Sequence, residues 1–216
     1  MLTRAQFDAA CKALITRYTE SASDFIAVSP LKGWAWNEHS TYPNFGFMSR
    51  TVTVFRRPDT SAHYFDDPLG EEVLEEEHDA TVLSATSETE SFTCQQYVVF
   101  SSTFRVPAFY FLLSDSSGSP LPLLEVLKTS LFKINAWDNP EVSSYTISLP
   151  TATFPLLSHG DHPTLGIPCW YFHPCETTAV VDELMREVAQ DGWSEEARLA
   201  RWLEMWFMVV CSVVNL

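Results

Sequence analysis

Basic residues are scarce in this chain: 13 Lys and Arg stand against 28 Asp and Glu in 216 residues, a formal charge of −15. A surface that repels phosphate this strongly excludes nucleic acid and anionic membrane as main partners. Long apolar runs are missing as well. The most apolar stretch, Met205 to Val214, follows Glu204 and has ten residues, whereas a membrane-spanning helix needs about 20. It reads as a buried helix, and no stable membrane insertion is expected. Cysteines are few and odd in number, five without a Cys-x-x-Cys pair, and no signal-like apolar run follows Met1. A reducing, cytoplasmic setting without disulfides is the expectation. What is present is core-building material, 46% apolar and 13% aromatic. One domain over 1–216 is expected, with an acidic insertion at about 58–90. Residues 66–90 hold ten acidic side chains and no Lys or Arg. They read as a solvated loop between strands, with an arm that steers a basic partner as the alternative.

Phe7, Cys11, Leu14, Ile15 and Tyr18 recur at helical spacing behind Thr3 and Gln6, a capping box, so the chain opens with a helix over about Thr3 to Thr19. Between Phe45 and Arg57 the period changes to two, which predicts a strand paired with a short one around Trp34 to Asn37. Phe92 to Ser101 and Arg105 to Ser114 read as a hairpin. Leu121 to Phe132 is a short helix or loop, and Tyr145 to Leu149 a further strand. Pro150, Pro155, Pro163 and Pro168 then predict an irregular loop leading to a site, since proline lacks the donor that helix and ladder need. Thr177 or Thr178 caps a helix running to about Gln190, with Gly192 as its stop. Ser194, followed by Glu195 and Glu196, opens a last helix that turns Leu199, Trp202, Leu203, Trp206 and Val210 inward. Strands grouped between helices indicate an α+β fold with an antiparallel sheet of about four to six strands.

The densest set of reactive side chains is His159, His162, Cys169, His173 and Cys175. Zinc would need four of these together, and the spacing argues against it. Neighbouring side chains of the extended run Ile167 to Phe172 point to opposite faces, and the intervals are not the usual paired ones. No metal or organic cofactor is expected. Cys169, between Pro168 and Trp170, is most simply a core thiol, and His173 a loop residue held by hydrogen bonds. Cys175 differs: it follows a strand-like run and precedes a helix N-terminus, where free backbone N–H groups favour a thiolate. A hydrolytic role would require a facing histidine base, and His173, next to Pro174, is poorly placed for it. Thioester exchange requires no such base.

The run Asp161-His-Pro-Thr-Leu-Gly-Ile-Pro-Cys-Trp-Tyr-Phe-His-Pro-Cys-Glu-Thr177 resembles the active-site segment of the autophagy-related protein 10 family. These are ubiquitin-conjugating-type enzymes in which a His-Pro-Cys triplet carries the thioester cysteine. Tyr97-Val-Val-Phe-Ser-Ser-Thr-Phe-Arg-Val-Pro-Ala-Phe-Tyr-Phe111, Gly33-Trp-Ala-Trp36 and the Trp-rich end after Arg201 are similar too. The likeness implies a variant of the ubiquitin-conjugating fold, with an N-terminal helix, an antiparallel sheet and two C-terminal helices. It implies a thioester nucleophile at Cys175 supported by His173 and Pro174. By the same resemblance, autophagy-related protein 12 is taken from the activating enzyme, autophagy-related protein 7, and passed to a lysine of autophagy-related protein 5. The implied location is cytoplasmic, with transient presence at the pre-autophagosomal site. Desolvation against Trp170 and Tyr171 would help the lysine lose its proton.

Two features depart from the wider pattern. Ordinary ubiquitin-conjugating enzymes place a His-Pro-Asn triplet upstream of the cysteine to steady the oxyanion. Here Asn135 and Asn139 are the nearest upstream candidates, and a backbone N–H is the other. The acidic segment has no counterpart. Three rival readings stand beside the main one: an autophagy-related protein 3-like enzyme acting on phosphatidylethanolamine, a non-enzymatic acidic adaptor, and a thiol hydrolase.

Overall fold

The computed structural model describes residues 1–20, 30–39, 41–42, 45–58, 90–134, 136, 140–150, 154–175 and 177–216. The acidic segment up to residue 89, together with Asn135, Asn139 and Glu176, lies outside the described residues.

The chain opens on α1 (Arg4–Glu20). Its start is closed by the capping box the sequence predicts: Gln6 Oε1 accepts from the Thr3 N–H, and Thr3 Oγ1 accepts from the Gln6 N–H. Strands β1 (Ala35–Asn37), β2 (Phe47–Phe55), β3 (Ser91–Ser101) and β4 (Val106–Ser114) follow as an antiparallel meander. Then come a one-turn helix α2 (Leu123–Leu127), strands β5 (Glu141–Val142), β6 (Thr146–Ser148), β7 (Leu157–Asp161) and β8 (Pro168–Phe172), and helices α3 (Thr177–Val188) and α4 (Glu195–Val210). All pairings are antiparallel, in the order β1-β2-β3-β4-β8-β7-β6-β5.

The α+β class is as expected, but among the described residues the sheet has eight strands rather than four to six. Beyond the five strands expected, β5 adds a two-residue strand beside β6, and β7 and β8 lie in the proline-rich stretch, expected to be irregular. Pro150 and Pro155 fall between β6 and β7, Pro163 falls in the β7–β8 turn, and Pro168 is the first residue of β8. A proline at a strand's first position or in a turn removes no interior ladder bond, so a hairpin survives between them.

One sheet face packs on α1, α3 and α4. Phe92, Cys94 and Val98 of β3 and Phe109, Phe111 and Leu113 of β4 point into it, opposite Phe7, Cys11 and Leu14 of α1 and Leu199, Trp202, Leu203, Trp206 and Phe207 of α4. The alternating pattern on the strands and the 3.6 period on the helices meet in this one layer. Ser194 caps α4 by accepting from the Ala197 N–H at 3.1 Å. The outer face carries a smaller cluster of Phe47, Tyr97, Val99 and Cys169.

β3 orients the molecule. At its start Phe55 pairs with Ser91 and the Arg56 N–H donates to Glu90 O, so the acidic segment leaves and returns there. At its far end lies the turn to β4, where His173 packs on Phe104. Eleven residues of strand separate the two places, roughly 35 Å at about 3.3 Å per residue.

Candidate active site

The thioester candidate is delivered by the β7–β8 hairpin. Leu157 pairs with Phe172, and the His173 N–H donates to Leu156 O at 3.0 Å, which carries the ladder one residue past β8. Pro174 then ends it, having no N–H. Its carbonyl accepts from the Thr177 N–H at 3.3 Å and from Thr177 Oγ1 at 2.7 Å, closing a turn that holds Cys175. Thr177 is therefore the first residue of α3 and not its acceptor cap, because its hydroxyl is spent backwards on Pro174. The helix ends at Val188, two residues short of the expected Gln190, ahead of Gly192 at φ 91°.

Cys175 is half-buried at the mouth of α3. The other thiols differ in setting. Cys11, Cys94 and Cys169 are buried, and desolvation pushes them up, to about 12 for Cys94 and about 11 for Cys169. Burial raises half-buried Cys211 as well.

His173 stacks parallel on Phe154 at 5.3 Å and meets Phe104 edge-on at 5.1 Å. Its Nδ1 is buried without a partner, and burial holds the imidazole below its ordinary basicity. The ring is neutral at physiological pH. It is fixed by ring packing, where the sequence suggested side-chain hydrogen bonds. The aromatic surroundings of the triplet are thus Phe104 and Phe154. Of the two rings the sequence offered for that role, Trp170 packs on His159 at 4.8 Å and Tyr171 stacks on Tyr110 at 5.0 Å. Phe104 and Phe154 each stand in a loop, with no periodicity to mark their packing.

The remaining histidines separate. His159 is exposed on the side of β7 that faces Trp170. His162, 1% exposed, lies over the outer face against Phe47, Tyr97 and Tyr110 at 4.8, 4.8 and 5.8 Å. Its Nδ1 accepts from the N–H groups of Thr164 and Leu165, both at 3.1 Å, so the ring proton sits on Nε2, which is buried without a partner. Burial lowers this histidine to about 4. Among the described residues no three His, Cys, Asp or Glu converge as a metal would require, and no helix is long and apolar enough to cross a membrane.

A cavity of about 220 Å³ opens beside the triplet between β8, α3 and the end of α4, with His173 and Thr177 on its rim. Its apolar wall residues in α3 and α4, Val180 and Val209, were not singled out from the sequence, although Met205 to Val214 was read as a buried helix.

Comparison with known proteins gives a consistent picture. Residues 6–216 match the family described as autophagocytosis associated protein, active-site domain. The chain is 30% identical over 143 residues to a protein of Arabidopsis thaliana named ubiquitin-like-conjugating enzyme ATG10, covering 66% of this chain and 57% of that protein. A Homo sapiens protein of the same name is 23% identical over 203 residues, 90% of this chain and 84% of its own length. A third, from Dictyostelium discoideum, is 24% identical over 123 residues, 55% and 49%. The chain thus spans about half the length of two of these relatives.

Proposed function

Because the chain belongs to the family of autophagocytosis-associated proteins defined by this active-site domain, we propose that it is a ubiquitin-like-conjugating enzyme of autophagy carrying its cargo as a thioester on Cys175. The cargo is autophagy-related protein 12, received from autophagy-related protein 7, and the acceptor is a lysine of autophagy-related protein 5. In the first step the Cys175 thiolate attacks the thioester carbonyl on the activating enzyme. A new S–C bond forms, the old one breaks, and the activating enzyme's thiolate leaves. Because one thioester replaces another, the exchange is close to isoenergetic. In the second step the neutral lysine amine attacks the carbonyl, the C–S bond to Cys175 breaks, and an amide forms as the amine gives up its proton.

The observation that carries this reading is the position of Cys175, half-buried in a closed turn ahead of α3. Backbone amides at the start of a helix can donate to an oxyanion that develops on a carbonyl held there. The rings of Phe104 and Phe154 around His173 supply an apolar wall that disfavours the charged ammonium of an approaching lysine. His173 and Pro174 act as positioning residues, the first by packing and the second by ending the strand.

A reconstituted assay with activating enzyme, ATP and the ubiquitin-like protein tests this. Wild-type protein should form an adduct that disappears with added thiol. Cys175→Ser should accumulate a thiol-resistant oxyester, and Cys175→Ala should form nothing. Full conjugation by the Ala variant overturns the assignment.

A further inference from the structure

We infer that the cavity beside Cys175 is a specificity pocket for one large apolar side chain, that of the residue preceding the terminal glycine of the thioester-bound ubiquitin-like protein. This rests on the reading of Cys175 as the acceptor thiol.

The cavity lies within reach of that residue. His173 and Thr177 form its rim and stand two residues on either side of Cys175, so each Cα is within about 7 Å of the cysteine Cα. A chain tethered through its terminal glycine carries its preceding residue one Cα step, about 3.8 Å, further on. A tail that leaves Cys175 on the side of His173 and Thr177 therefore brings that residue to the cavity.

The size and chemistry of the cavity select the occupant. A cavity of roughly 150 Å³ takes one benzene, so about 220 Å³ admits a single large aliphatic or aromatic side chain, while drug-sized ligands fill about 300 Å³ or more. Phe172, Val180, Val209 and Val213 form its walls, and among the described residues no charged one lines it. A charged tail residue would lose its hydration there with only the Thr177 and Ser212 hydroxyls and the His173 ring in exchange. Val180 stands at the mouth, 44% exposed although apolar and on the first turn of a helix. A residue at the mouth of such a pocket loses that exposure when the tail is seated.

Short peptide thioesters of the form acetyl-X-Gly-thioester, with X as Ala, Leu, Phe or Asp, test this by their rate of acyl transfer to Cys175. Leu and Phe should react faster than Ala on the order of tenfold at subsaturating concentration, through KM and not kcat, and Asp should react slowest. In Val180→Trp, which fills the mouth, the preference should flatten, while alkylation of Cys175 by iodoacetamide stays at the wild-type rate. Equal rates for all four peptides overturn the inference, as does a preference that survives intact in Val180→Trp. So does a protein that charges normally from the activating enzyme yet reacts with none of the peptides. A protein that forms no thiol-labile adduct even with the activating enzyme fails at the earlier step, the assignment of Cys175.

Discussion

The ring of His173 meets Phe104 edge-on at 5.1 Å, so the segment that delivers Cys175 rests on the turn between β3 and β4. An edge-to-face pair contributes about 0.5–1.5 kcal/mol beyond area burial. Phe104 is half-buried, so its truncation costs less than that of a core aromatic. Phe104→Ala should lower stability by about 1–2 kcal/mol in urea unfolding and slow adduct formation at Cys175, whereas Phe104→Leu should retain most of the rate. A Phe104→Ala protein with wild-type adduct kinetics would remove this turn from the positioning of the site.

His162 makes stability depend on pH. Folded, it is held to about 4 by burial, and unfolded it titrates near 6.5. Between those values the unfolded chain binds more protons than the folded one, so stability is full above about pH 6.5 and is lost as pH falls towards 4. The loss is about 3 kcal/mol at most. His162→Asn keeps an acceptor for the Thr164 and Leu165 amides, as asparagine does in an Asx turn, but cannot titrate. Thermal melts across pH 4–7 should therefore fall more steeply for wild type than for His162→Asn. Parallel curves would assign the acid sensitivity to another group.

The two elements flanking His162 mark how far the sequence was legible. α1, β2, the β3–β4 hairpin and α4 each carry an apolar period over nine or more residues, and caps at Thr3 and Ser194 fixed two of their ends. β7 and β8 have five residues each, too few to establish a period against four prolines nearby. The prolines mark the turns, and of the two strands only the run into β8 shows an extended character in sequence. The turn that holds Cys175 was legible because the strand before it and the helix after it are local in sequence. The cavity beside it was not, since its walls come from β8, α3 and α4, and only the tertiary fold brings them together.

Thiol chemistry separates the cysteines. Cys169 is fully buried against Phe47, Tyr97 and Val99, and Cys11 and Cys94 are fully buried in the main core. Maleimide on the native protein should modify Cys175 first, as mass spectrometry of tryptic peptides would show. Cys169→Ala should keep adduct formation and lose about 1–2 kcal/mol of stability to the small cavity it leaves. Rapid native labelling of Cys169 would contradict its burial.

Glu204 places one carboxylate between two arginines. Its side chain is 6% exposed and accepts from Arg17 at 2.6 Å, Arg201 at 2.8 Å and the Tyr18 hydroxyl at 3.3 Å. Both arginine side chains are 43% exposed, so they stay partly hydrated if the carboxylate is removed, and the cost is smaller than for a fully buried pair. Glu204→Ala should destabilise by about 2 kcal/mol, with Glu204→Gln intermediate. An unfolding midpoint unchanged in Glu204→Ala would mean that α1 and α4 are joined by apolar packing alone.

The deficit of basic residues is concentrated in the acidic segment, whose two ends are clasped where Arg56 pairs with both Glu90 and Glu125. Phe55 and Ser91 are already ladder partners there, so a short turn can replace residues 59–89 without disturbing β2 or β3. The attachment is roughly 35 Å from the turn beside His173, at about 3.3 Å per residue of β3. Deletion should therefore leave the melting temperature and acyl transfer from peptide thioesters unchanged. If the segment steers a basic partner surface, association with that partner should become slower and less dependent on salt, because long-range attraction acts on the encounter rate and is screened beyond about 10 Å at 0.1 M ionic strength. Stopped-flow association rates at 20 and 200 mM salt distinguish the two cases. An unchanged rate with an unchanged salt slope leaves the segment a solvated loop, and a lost acyl transfer would contradict the separation between its neck and the site.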